Sequence, residues 1–312
     1  DAFYGRSWLL YHYLMFDPAR AGQLNAYWLE TARGTPRIAA AEKVFGDLNA
    51  LDRALDAYLK SRRWSIISAL PQQITIGPIS VRPLTPGHAA MLPVIMVSKR
   101  GVDDAQAKAL LGKARATAAA HPQDSEVLSA LAEAEHDAGN YAEAVAAADR
   151  ALAIDPAAKG ALKQKGLALF AAAEDAEDER AAYAKADEAF AALNRLEPDH
   201  PYGLIYTFQG YFARGEIPPQ PARSGLVRAA KQAPFDLSLT LQVGHLFASE
   251  GSVAAAINAL QPVAANPHGE ALSQQAKRMI AFLADKPDGV PVSFAGMDES
   301  TAVEAAGEAP TR

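Results

Sequence analysis

Between Ser125 and Pro156 the apolar and small residues recur with the period of a helix, stop at a turn, and recur again. Leu128, Leu131 and Ala132 share one face of a first helix. Gly139 and Asn140 form the turn, and Tyr141, Ala144, Ala148 and Ala151 line one face of a second helix, which Pro156 stops. Small residues at Ala144 and Ala151 fit two helices in close contact, where a large side chain would hold them apart. The stop prolines recur at 122, 156, 198, 234 and 267, at spacings of 34, 42, 36 and 33 residues. A near-period of this length predicts a solenoid of stacked helical hairpins.

The 125–156 stretch and its recurrence resemble the tetratricopeptide (TPR) repeat, a helix–turn–helix unit of about 34 residues. The resemblance implies a mostly α, α–α superhelical fold whose first helices line a concave face. Val102 to His121 reads as the second helix of a unit whose first helix is missing or replaced. The unit ending at Pro198 has Gly166 where close helix contact is expected, with Phe190 and Leu193 on its second helix. Its extra residues are the acidic run Ala173–Glu179, read as a solvated extension rather than a docking patch. The unit from Pro201 to Pro234 has an aromatic first helix and a Pro-rich connector at Ile217–Pro221, which predicts a short second helix from Ala222 to Gln232. Phe235 to Pro267 forms the last full unit. Glu270 to Ala284 supplies a capping helix with Met279, Ile280, Phe282 and Leu283 inward. Residues 286–312 read as a flexible tail, disordered from about Asp298.

Upstream, residues 1–64 form four helices: Ala2–Phe16, apolar nearly all round; Gln23–Arg33; one opened by Thr35-Pro36 and ended by Phe45-Gly46; and one from about Asp47 to Arg63 with Leu48, Leu51, Leu55, Tyr58 and Leu59 on one face. Residues 65–101 carry the β signal of the chain. Ile74, Ile76, Ile79, Val81 and Leu84 flank Gly77-Pro78 as a small hairpin, and Leu92–Val97 reads as a third short strand. His88, between turn residues and one helical turn, reads as a solvated loop histidine. The expected organisation is therefore a helical block (1–64), a small β connector (65–101), TPR-like repeats with a capping helix (102–285) and a tail (286–312).

The first block resembles the segment after the zinc site in peptidase-MA-like (gluzincin) domains. The matching pieces are AFYGRSWLLYHYLMF, the helix with Gly22, Leu24 and Tyr27, the Gly34-Thr35 break, KVFG at Lys43–Gly46 and LDRALDAYLKSR at Leu51–Arg62. The zinc-binding H-E-x-x-H helix and later Glu of that family are not in this chain, so none of its catalytic residues maps here. The resemblance implies an exported, periplasmic protein of a Gram-negative bacterium, with any peptidase chemistry upstream of Asp1.

Composition narrows the function without naming it. Alanine is the commonest residue, which favours helices in close contact. The net charge of −6 gives no general attraction to nucleic acid, no run of about 18 apolar residues offers a membrane span, and the absence of Cys removes disulfide and thiol chemistry. No H-E-x-x-H, C-x-x-C pair, G-x-G-x-x-G, phosphate loop or G-x-S-x-G occurs, so no catalytic, cofactor or metal residue is assigned. His12 reads as a core-edge histidine among aromatics, and His121, His200 and His268 as turn residues capping helix ends.

The candidate binding surface is the concave face. Repeat position places Glu126, Ser129, Glu133, His136 and Asp137 on it, then Lys163, Leu167 and Phe170, then Tyr202, Ile205, Gln209 and Phe212, then Leu241, His245 and Ser249. Of these, Glu133, His136, Lys163, Phe170, Tyr202, Gln209, Phe212 and His245 are the candidate groove residues. An acidic end with an aromatic middle fits a protein or peptide segment bearing a basic and an apolar group. The same aromatics fit packing between units equally well. The leading expectation is a non-catalytic scaffold. The alternatives are the C-terminal portion of an exported zinc metallopeptidase-like protein and a self-association module of an envelope assembly. The sequence sets no oligomeric state.

Overall fold

The computed structural model describes residues 2–33, 35–61, 64–266 and 270–297. The chain divides into two compact units, one to Ser80 and one from Val81.

The first unit contains α1 (Ala2–Phe16), α2 (Gln23–Ala32), α3 (Arg37–Phe45) and α4 (Leu48–Ser61). Leu9 and Leu14 of α1 and Leu51 and Leu55 of α4 are buried, and Arg6 reaches from α1 to Asp52 and Asp56 on α4. His12 sits in an aromatic cage of Trp8, Phe16, Tyr58 and Trp64. Its Nε2 lies 2.9 Å from the Ser65 carbonyl, which can only accept, so Nε2 carries the proton; Nδ1 accepts from the Tyr58 hydroxyl at 2.8 Å. Both ring nitrogens are thereby used within the fold. Thr35 does not cap α3, whose N-cap is Pro36; its hydroxyl instead donates to Glu30, which also holds Lys43 and Arg33. Trp8, Tyr11 and Trp28 nonetheless stay exposed.

The β connector is not formed. Among the described residues there is no strand, and residues 64–85 run as irregular chain with one 3-10 turn at Pro71–Gln73. Leu92–Val97, expected as a strand, lies inside α5 (Pro86–Lys99). A short apolar run has no decisive period, and here burial decides: Met91 and Val94 are fully buried against the following helices. Thr85 caps this helix, accepting from the His88 amide, and Pro86 opens it, where its missing N–H would be unpaired anyway. His88 is thus in the first turn of a helix, partly buried, and not in a solvated loop.

From α5 onward the chain is a row of helical hairpins. The pairs are α5 with α6 (Asp104–Ala120), α7 (Ser125–Asp137) with α8 (Tyr141–Ile154), α9 (Lys159–Ala173) with α10 (Glu179–Leu196), α11 (Pro201–Ala213) with α12 (Gln220–Gln232), and α13 (Leu237–Ser249) with α14 (Val253–Ala264). Helix α15 (Glu270–Leu283) closes the row. The array therefore begins at α5, which is the first helix that the unit ending at Pro122 was expected to lack. Helix α12 is as long as its partner rather than short, because Pro219 stands at the N-cap and Pro221 in the first turn, both positions that tolerate proline. Asp103, Asp124, Asp178 and Asp236 cap helix starts with side-chain oxygens; His121 stands at the C-cap of α6, its backbone N–H on the Thr117 carbonyl, and His200 at the N-cap of α11 without a side-chain cap bond. His268 lies outside the described residues.

Close helix contact is visible at Gly166 of α9. A Cβ built there would lie 2.6 Å from the Phe190 ring of α10, so only glycine admits the fully buried phenylalanine. The turn at Gly139 needs glycine for a different reason, a φ of 78°. Repeats are also joined by charge. Arg115 of α6 forks onto the buried Glu135 of α7 at 2.7 and 2.8 Å, and Asn140 donates to the same carboxylate at 2.9 Å.

The segment after α15 is docked. Gly289 N–H donates to the Gly251 carbonyl at 2.7 Å and Val292 N–H to the Ala248 carbonyl at 2.9 Å. Asp288 accepts from the Ala254 amide in the first turn of α14, and Val292, Phe294 and Met297 pack on the core around Leu260 and Met279. Residues 286–297 are thus not a flexible tail; the disorder expected from Asp298 falls outside the described residues.

Candidate functional site: the face of the first helices

Helices α5, α7 and α9 lie side by side, each the first of its hairpin, and Lys99, Glu133 and Lys163 meet there. The side chain of Lys163 is only 16% exposed. Its ammonium is 3.8 Å from Glu133 Oε1 and 5.2 Å from the centroid of the Tyr202 ring on α11. Lys99 pairs with the same Glu133 oxygen. Burial holds Lys163 below the usual lysine range; Glu133 opposes this and the neighbouring Lys99 charge adds to it. A cavity of about 450 Å³ opens here, with Ser129, Gly160 and Gln164 also on its wall. The Gln164 Oε1 is buried without a partner.

The carboxylates of the expected acidic end are therefore engaged within the fold. Glu133 holds two lysines, Glu126 holds Arg82 and His88, and Asp137 accepts from Ser98 at 2.7 Å. His136 does not join the Lys163 cluster: its ring lies beside Tyr141, 5.7 Å between centroids, with Nδ1 3.7 Å from Asp137.

The aromatic residues divide between packing and exposure. Phe170 meets Tyr183 and Tyr206 edge-on at 4.8 and 4.9 Å, and Tyr206 stacks on Phe190, so Phe170 serves packing between units. Tyr202 stays partly exposed over Lys163, and Phe212 is 60% exposed at the end of α11.

A second cavity, of about 490 Å³, lies between α11, α13 and the returning chain. Gln209, Phe212 and His245 meet there. Gln209 Nε2 lies 3.4 Å from Gln242 Oε1, and the His245 ring faces Phe294 edge-on at 4.7 Å. Burial pushes the His245 pKa below the ordinary histidine value. Pro291, Val292 and Phe294 form the other wall. Sequence reasoning missed them; the one available signal was the Val-Pro-Val-Ser-Phe apolar cluster in an otherwise polar tail.

Among the described residues, no group of three or more His, Asp or Glu side chains could hold a metal ion, and no helix is long and apolar enough to cross a membrane.

With this geometry in view, the chain is similar to the crystal structure of a thermophilic TPR protein from Thermus thermophilus. The TM-score is 0.50 and the identity 18%, over 62% of this chain and 99% of that one. At this identity the likeness concerns fold: the chain has a TPR-like helical-repeat fold. Comparison with protein-family models gives no match, and comparison with curated proteins gives none either. The likeness of residues 1–64 to peptidase-MA-like domains finds no support in these comparisons.

Proposed function

We propose that this chain is a scaffold that binds a protein or peptide segment along the face formed by its first helices, and that it does no chemistry itself. The observation that carries the reading is the pair of cavities on that face. The one at α5, α7 and α9 is polar and internally charge-balanced, and the one at α11 and α13 is aromatic and uncharged. Such a surface suits an extended segment with polar and apolar positions in alternation, whose affinity comes from a few anchor side chains. Because Glu133 already holds two lysines, its carboxylate is not free for a strongly basic partner.

Photo-crosslinking in cells tests the reading. A photoreactive residue replacing Tyr202 or Phe212 is expected to capture a discrete protein, while one replacing the exposed Glu188 on the second helix α10 captures none. Equal capture from all three positions, or none from the first two, would overturn it.

A further inference from the structure

The cavity between α11 and α13 is lined by apolar and neutral polar side chains. Phe208, Phe212 and Leu246 come from the helices, Val292 and Phe294 from the returning chain, and no Asp, Glu, Lys or Arg lines it. A charged side chain entering this space would lose water and find no counter-ion. Its polar groups are neutral: Gln209, Gln242, Ser249, Ser293 and a histidine whose burial favours the uncharged ring. Gln209 donates to Gln242 through a long contact of 3.4 Å, which leaves the Gln209 carbonyl as an acceptor and the Gln242 amide as a donor. One acceptor beside one donor matches the N–H and C=O of a single residue in extended backbone, which point to the same side.

The chain itself shows what this face accepts. Pro291–Phe294 is an uncharged stretch with Ser293 in extended backbone conformation, held to α13 by the Val292 amide on the Ala248 carbonyl and by Phe294 against His245. It covers one side of the space and leaves Phe212 open on the other.

We infer that this cavity is a side-chain pocket for an uncharged, extended peptide segment: an aromatic or large aliphatic side chain enters between Phe212 and Phe294 while Gln209 and Gln242 hold its main chain. The docked segment Pro291–Phe294 is then a permanent wall of the pocket. The inference rests on the proposed peptide-binding role of this face and assigns the class of residue taken at one end of it.

The test titrates the full chain with N-acetyl-phenylalanine amide, N-acetyl-leucine amide, N-acetyl-glutamate amide and N-acetyl-lysine amide, following NMR signals of His245 and Val292. The phenylalanine and leucine amides are expected to shift both signals saturably, and the charged amides not. Phe212→Ala, at an exposed position that leaves the fold intact, and Phe294→Ala are each expected to weaken the phenylalanine amide by about tenfold. Charged probes binding equally well, no saturable shift with any probe, or unchanged binding in Phe212→Ala would overturn the pocket. Crosslinking of a partner from Tyr202 together with silent amide probes would reject the pocket and keep the peptide-binding reading. Failure of both would reject both.

Discussion

The ammonium of Lys163 on α9 stands 5.2 Å from the ring centroid of Tyr202 on α11, bridging two consecutive hairpins across the face that carries the candidate site. Burial lowers its pKa below the ordinary 10.5. The folded chain therefore holds this proton less tightly than the unfolded chain. The resulting penalty is present in full below the folded pKa and is relieved as pH rises past it toward 10.5. Competitive acylation across a pH series is expected to give Lys163 a midpoint below the ordinary lysine value of 10.5. A midpoint at or above that value would contradict it.

Gly166 and Phe190 make a packing prediction. Gly166→Ala places a methyl group 2.6 Å from a fully buried ring and is expected to destabilise by about 1–3 kcal/mol, the range for overpacking a filled core. Adding Phe190→Leu removes the obstructing ring edge, so the double variant should lose less than the two single variants summed. Urea midpoints at constant slope measure both; strict additivity would show that the contact does not limit the substitution.

His245 sets an acid limit. Its pKa is lowered from the ordinary 6.5 by burial beside Phe294. The unfolded chain takes up this proton first as the medium is acidified. Its contribution to stability is therefore level above about 6.5 and falls as pH drops through the folded value. NMR titration should give His245 a midpoint below that of an unburied histidine, with the Phe294 signals moving in step. A normal midpoint would refute the burial argument.

Amide exchange separates docked from irregular chain. The Gly289 and Val292 amides, bonded to Gly251 and Ala248, are expected to exchange far more slowly than those of Ile76 and Val81, which are largely exposed. Comparable rates at the four positions would show that the segment after α15 is not held on α13.

The repeat was legible where local rules suffice. The prolines at 122, 156, 198 and 234, the glycine turn at 139, and alanines such as Ala144 and Ala151 act on chain geometry within a few residues, so their spacing alone marks helix ends and close contacts. Repeat position likewise placed Lys163, Tyr202, Gln209 and His245 on first helices. Glycine at 166 signalled a close approach, though not that Phe190 would be what approaches.

What the sequence by itself determined is the helical hairpin, its near-period and the face its first helices share, because each depends on neighbours within one turn or one hairpin. Only the tertiary structure decided the rest. Leu92–Val97 is a helix because α6 and α7 bury one side of it, although the run alone carries no decisive period. Glu133 offers no free charge because lysines from α5 and α9 reach it, at separations of 34 and 30 residues. Val292 and Phe294 line the second cavity because the chain turns back after α15 onto α13, some 45 residues upstream. Long-range contacts of this kind depend on where whole helices come to rest, and a periodicity read along one segment contains nothing about that.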